Sequence, residues 1–212
     1  MDFLSLRKLI KETEIDKVFL ESLGLEFKSV NEIKTYISFI DFLEMNLSED
    51  TYKLSYCSDN FRFGYSIPQI GKEFDLLRLG TNFNINIEYK EKATTSELKQ
   101  QLERNRYFLK FLPQKTYYFS YCSDTEKFIR GIVGTNGDLS FSECDIGEFI
   151  AILEQQSFLD MKHLNYDDCF NIKNYLVSPF NDTERFLNNS YLLTSHQENI
   201  KKEILSPQRK IF

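Results

Sequence analysis

The sequence predicts an α/β (α+β) fold, with a central mixed sheet flanked by helices. Two observations predict it. Short runs rich in Phe, Tyr and Ile, several of them alternating apolar and polar side chains, recur between residues 61 and 90 and between 117 and 141. Amphipathic helical stretches precede these runs, separate them and follow them.

Residues 1–23 are expected to form a helix, with Leu4, Leu9, Ile10, Val18 and Phe19 set among charges and Gly24 as its breaker. A second helix is expected from Asn31 to Asn46, its apolar face supplied by Ile33, Ile37, Ile40 and Phe42. Strands are expected over 51–57, 61–67, 73–79 and 83–90, with Gly80-Thr81-Asn82 as the turn between the last two. Thr94 to Leu112 carries the clearest helix signal. Thr94 with Glu97 makes a capping-box pattern, Leu98, Leu102, Leu109 and Leu112 form a stripe that Asn105 interrupts, and Pro113 ends it. Strands follow at 117–121 and 128–133, an edge strand at 139–141, and a short helix at 145–155. Ser55-Tyr-Cys-Ser-Asp59 recurs as Ser120-Tyr-Cys-Ser-Asp124, and both copies are expected at a strand end entering a turn. After about residue 157 periodicity fades. Residues 171–189 are expected as an extended connector, and 194–205 as a last helix capped by Thr194 or Ser195.

The composition suits one packed domain of moderate size, with apolar residues at 42% and aromatic ones at 15%. A net charge of −6 is unlike a protein that only coats nucleic acid, so any such contact has to be a local basic patch. Cys57, Cys122, Cys144 and Cys169 lack the C-x-x-C spacing of a zinc or redox site. No signal peptide and no membrane-spanning stretch is recognisable, so the expectation is a reduced cytoplasmic protein with free thiols. His163 and His196 are isolated. The Gly-rich run at 131–137 lacks a following Lys-Ser/Thr and is a turn, not a phosphate-binding loop.

The segment from Glu73 to Lys90 carries the chemistry. Along the second strand Phe83, Ile85, Ile87 and Tyr89 point one way and Asn84, Asn86, Glu88 and Lys90 the other, which puts Glu88 and Lys90 about 7 Å apart. If Thr81-Asn82 is a two-residue loop, Asp75 lies directly opposite Glu88 on the same face. Phe74, Leu76, Leu77 and Leu79 suggest a strand covered on both sides, where a charge needs a partner or a job. Two facing carboxylates repel, and a divalent cation with oxygen ligands, Mg²⁺ or Mn²⁺, relieves them.

The order Asp75, turn, Glu88-Tyr89-Lys90, then a helix starting near Thr94, resembles the PD-(D/E)xK nuclease superfamily. The resemblance covers roughly residues 31–145 and implies a restriction-endonuclease-like α-β-β-β-α-β core. It also implies a metal held by Asp75, Glu88 and the backbone carbonyl of Tyr89, with Lys90 assisting catalysis. Gln101 is the candidate for the helix Gln of some members. Tyr107 would be the companion Tyr, at a spacing longer than the usual Q-x-x-x-Y. Glu44, with Asp41 second, is the candidate for a further acid on the first helix. Glu73 shares the strand face of Asp75 and is another, and Arg104 is a candidate phosphate contact. The expected function is Mg²⁺-dependent hydrolysis of phosphodiester bonds, most readily in DNA. The alternative is an inactive nuclease-like module that binds nucleic acid or docks a helicase.

Near the end, Tyr191-Leu-Leu-Thr-Ser-His-Gln197 resembles the entry segment of superfamily 1-type helicases, in which the Gln reads adenine; here that is Gln197. No G-K-[ST] occurs. The resemblance implies a nuclease domain at 1–157 and, at 158–212, a connector and helix leading toward a helicase ATPase domain outside this chain.

Overall fold

The structure is a computed structural model that describes residues 30–47, 51–159, 165–177, 180, 182–188 and 203. The helix expected at 1–23 and the residues around Gln197 lie outside these. By its contacts the chain divides into two compact units, Met1–Tyr65 with Glu73–Asn165, and Ser66–Lys72 with Tyr166–Phe212.

The first unit is α+β. Helices α1 (Val30–Leu47) and α2 (Thr51–Ser58) precede strands β1 (Arg62–Ser66), β2 (Glu73–Arg78) and β3 (Asn84–Lys90). Helix α3 (Thr95–Leu109) then leads to β4 (Thr116–Cys122), β5 (Lys127–Val133), β6 (Leu139–Glu143) and helix α4 (Ile146–Gln155). The strands form one six-stranded sheet in sequence order. The β2–β3, β4–β5 and β5–β6 pairs are antiparallel, and β3–β4 is parallel across the α3 crossover. This mixed sheet between helices, with the order helix, three strands, helix, strand, is consistent with a restriction-endonuclease-like core.

Alternation along β3 and β4 gives the sheet two unlike faces. Ile85, Ile87 and Tyr89, with Phe119 and Tyr121, meet Phe39, Ile40 and Leu43 of α1 and Phe149 and Leu153 of α4 in the main core. The Phe119, Phe128 and Phe149 rings pack at 4.6–5.5 Å. Such tilted and offset ring pairs add to the plain burial of apolar area. The other face lies under α3, where Leu98 packs on Cys122 and Ile129. Helix α3 starts where the capping box requires it: Thr94 Oγ1 accepts from the Glu97 N–H, and the Glu97 carboxylate accepts from the Thr94 N–H.

Residues 51–57 are helical, which corrects the expected strand. Their aromatic, β-favouring composition is overridden by packing. Leu54, Cys57 and Ser58 are buried at helical spacing, while Tyr52 is exposed. The repeated Ser-Tyr-Cys-Ser-Asp segment therefore ends a helix at its first copy and a strand at its second.

Strand β2 is anchored by Arg78, a fully buried cation. Its Nη1 donates to the carbonyls of Cys57 (3.1 Å), Asp59 (3.2 Å) and Tyr56 (3.3 Å), and its Nη2 donates to Leu153 (3.0 Å). Most of these carbonyls lie in the last turns of α2 and α4, the partly negative ends of both helices, so the positive charge is met there. Its Nε donates to Gln156, whose own Nε2 donates to the Phe83 carbonyl at 2.7 Å. The Phe61 ring lies 4.6 Å and the Phe158 ring 5.1 Å from the guanidinium. Phe158 also packs on Tyr56 at 4.6 Å and bridges to Gly80.

In the second unit, short helices lie just before and within the connector expected at 171–189. Tyr166–Cys169 forms α5, Ile172–Asn174 a 3₁₀ turn capped by Asn171, and Thr183–Leu187 α6 capped by Asp182. Arg185 Nη2 donates to the Asn174 carbonyl at 3.1 Å and ties the last two together. Among the described residues no helix is long and apolar enough to cross a membrane, and all four cysteines are free thiols.

Candidate metal centre

The β2–β3 ladder pairs Leu76 with Ile87, Leu77 with Asn86 and Arg78 with Ile85. Continued by one residue, this register sets Asp75 opposite Glu88, the juxtaposition expected from a two-residue loop. At that point side chains replace the backbone ladder. The Asp75 N–H donates to Glu88 Oε1 (3.3 Å), and the Tyr89 N–H donates to Asp75 Oδ2 (3.0 Å). Each carboxylate accepts a backbone donor from the opposite strand, so both side chains are held where the two strands part. An extended residue sends its N–H and C=O to the same edge of the strand. The Tyr89 carbonyl therefore leaves β3 on the edge that faces Asp75.

Glu88 is buried, yet its carboxylate is well supplied with donors. Besides the Asp75 amide, Oε1 accepts from Asn105 Nδ2 (2.6 Å) and Asn86 Nδ2 (3.4 Å), and Oε2 accepts from Gln101 Nε2 (3.0 Å). Gln101 and Asn105 lie four residues apart on one face of α3, which is the spacing that lets both reach the same side chain. Asn86 sits two residues before Glu88 on the same strand face. A carboxylate offers about four acceptor positions, and three donors crowd Oε1. The oxygen with room for a further ligand is Oε2.

The Asp75 carboxyl is held well above the usual carboxylate range. Burial is the first cause and the charge of Glu88 the second; the Lys90 charge and the Tyr89 amide oppose them. Lys90 itself is exposed at the end of β3. A pair of carboxyl groups in which one is driven toward neutrality by burial and by the other fits a divalent cation, which supplies the missing positive charge. Among the described residues no three His, Cys, Asp or Glu side chains cluster. An ion here would have two carboxylate ligands and a carbonyl, with water completing the shell, as suits Mg²⁺.

Comparison with known protein families, curated proteins and solved structures returns no match. Within the chain, Asp75, Glu88 and Gln101 come together, with Lys90 two residues beyond Glu88 on the same strand face. Glu73 precedes Asp75 by two residues on the same face of β2, and the continued register sets it across from Lys90. Arg104 is exposed one turn beyond Gln101 on α3. Tyr107 lies about 9 Å further along the helix axis than Gln101 and packs with Phe108 and Lys110 (5.1 and 4.7 Å). Glu44 and Asp41 belong to α1, which covers the Ile85/Ile87/Tyr89 face, the one turned away from Glu88. The structure does not bring them to the pair. Gln197 lies outside the described residues.

Two residues of the site were not singled out from the sequence, Asn86 and Asn105. Both left a signal: Asn86 shares the polar strand face with Glu88, and Asn105 breaks a leucine stripe. Cys144 makes a poor rival nucleophile: its thiol is pushed up to about 12, first by burial and then by Glu148, and that of Cys169 is raised as well, first by burial.

Proposed function

We propose that Asp75, Glu88 and the Tyr89 carbonyl hold Mg²⁺ or Mn²⁺ in a nuclease that hydrolyses phosphodiester bonds, with DNA as the first substrate to test. The observation that carries the reading is the meeting of Asp75 and Glu88 on one sheet face at the point where β2 and β3 separate. When bound, the ion would polarise a phosphoryl oxygen and lower the pKa of a coordinated water. The chain's own residues do the rest. Gln101 and the amides on Oε1 keep Glu88 in one orientation. Lys90, exposed beside the pair, orients the attacking water or offsets charge on the phosphate. Arg104, exposed on α3, would contact a neighbouring phosphate of a bound strand.

The proposed setting is cytoplasmic, where free thiols such as these four stay reduced. The segment ending at Gln197 extends the proposal to a helicase ATPase partner domain, on sequence resemblance alone. One observation favours the rival reading, an inactive module that binds nucleic acid or docks a helicase: Glu88 already accepts four hydrogen bonds within the protein. Nicking of supercoiled plasmid separates the two. The nuclease reading expects cleavage with Mn²⁺ or Mg²⁺ that EDTA abolishes. DNA binding without cleavage in either metal would favour the inactive module.

A further inference from the structure

The polar layer between α3 and the sheet contains one residue that packing alone does not explain. Asn105 is fully buried on a helix face otherwise built from Leu98, Leu102, Phe108 and Leu109. Asn is a weaker helix former than Leu, and a buried amide has to be satisfied. Asn105 is only half satisfied. Its Nδ2 donates to Glu88 Oε1 at 2.6 Å and to Asn86 Oδ1 at 2.8 Å. Its Oδ1 is buried and accepts no hydrogen bond among the described residues. The orientation of the amide is not arbitrary. A carboxylate only accepts, so the NH₂ has to face Glu88 and the carbonyl takes the unpaired side. A leucine here would continue the stripe and bring no unpaired carbonyl of its own, at the loss of the donor to Asn86 Oδ1 and Glu88 Oε1. The amide's chief effect on its surroundings is to pin one oxygen of Glu88.

We infer that Asn105 is a positioning residue: with Asn86 it locks Glu88 Oε1 beneath α3, so that Oε2 is the oxygen left for a divalent cation shared with Asp75. The inference deepens the metal reading above and rests on it for the identity of the ligand. Gln101 and Asn105 then divide the carboxylate between them. Gln101 steadies the oxygen that would meet the ion, and Asn105 removes the freedom of the other. Outer hydrogen bonds of this kind orient a metal's ligand and commonly hold about 10–100-fold of its affinity.

The test compares wild type with Asn105→Leu, which keeps the branched outline of the side chain, at larger volume, but not the donor, and with Asn105→Ala, which leaves space for solvent should the leucine variant fold poorly. Two readouts are taken well below the melting temperature: the orientation of Glu88 in metal-free crystals, and Mn²⁺ affinity by calorimetry. A purely packing role would move neither. The expected result is that Glu88 leaves its seat against Asn86 in the variants and that Mn²⁺ affinity falls about tenfold or more. Glu88 in its wild-type place, or an affinity within about twofold of wild type, would overturn the inference. If wild type itself binds no Mn²⁺, the metal reading fails, and the orientation of Glu88 alone then decides the role of Asn105.

Discussion

Asp75→Asn should make the metal-free protein more stable at neutral pH, although it removes a proposed metal ligand. In the folded protein burial and the Glu88 charge raise the Asp75 pKa, while in the unfolded chain it returns to about 3.9. Between those two values the folded state binds one more proton than the unfolded state. The contribution of Asp75 is therefore fully present below about pH 4 and is lost as pH rises through the folded pKa, at about 1.4 kcal/mol per pH unit across that window. Asparagine does not titrate. It keeps an oxygen for the Tyr89 N–H and turns an NH₂ toward Glu88. The new hydrogen bond to a charged group adds a further gain of about 1.5–3 kcal/mol. Urea denaturation of both proteins in EDTA, from pH 4 to 8, reads the difference directly. The gap should open with pH in favour of the variant and then level off. Saturating Mn²⁺ should narrow the gap: wild type gains about 2.7 kcal/mol at 100 times Kd, and the variant gains little. A variant no more stable than wild type at pH 8, or a gap flat across the range, would refute the reasoning.

Other substitutions separate chemistry from scaffold. Glu88→Ala should lower metal-dependent plasmid cleavage by more than about 100-fold, because loss of a direct ligand exceeds loss of an outer contact. Lys90→Ala should lower it by about 10²–10⁴-fold with an unchanged circular dichroism spectrum, since Lys90 is exposed. Arg78→Met should destabilise by about 3–5 kcal/mol in urea titration, since a buried acceptor left without a donor costs about 1–3 kcal/mol; it leaves the carbonyls at the ends of α2 and α4 and the Gln156 side chain without their donor. Gly80→Ala should lower stability by about 1–3 kcal/mol in the same assay, because an added Cβ would lie 2.4 Å from the Phe83 carbonyl oxygen and 2.8 Å from that of Ser157.

The hairpin was legible because its information is local. Strand alternation and a short loop set which residues of β2 and β3 face each other, and the observed register follows that arithmetic. The capped helix after it was legible for the same reason, since Thr94 and Glu97 satisfy each other across one turn. The failures are non-local. Residues 51–57 carry strand-favouring side chains, but Leu54 and Cys57 find their partners in the main core, and that packing chose the helix. Arg78 was not singled out from the sequence: its role depends on two helix ends that meet only in the folded chain. Asn105 was visible as a break in a stripe, but nothing local said that Glu88 would lie beneath it. Glu44 was carried over from the resemblance by its place on the first helix, and α1 proves to cover the other face of the sheet.

The central claim is that Asp75 and Glu88 share one metal ion. Anomalous diffraction from crystals soaked in Mn²⁺ tests it most directly. The expected result is a single strong peak within about 2.0–2.3 Å of an Asp75 oxygen and of Glu88 Oε2, near the Tyr89 carbonyl. No peak at saturating Mn²⁺, with the two carboxyl groups still facing each other as in the metal-free protein, would contradict it.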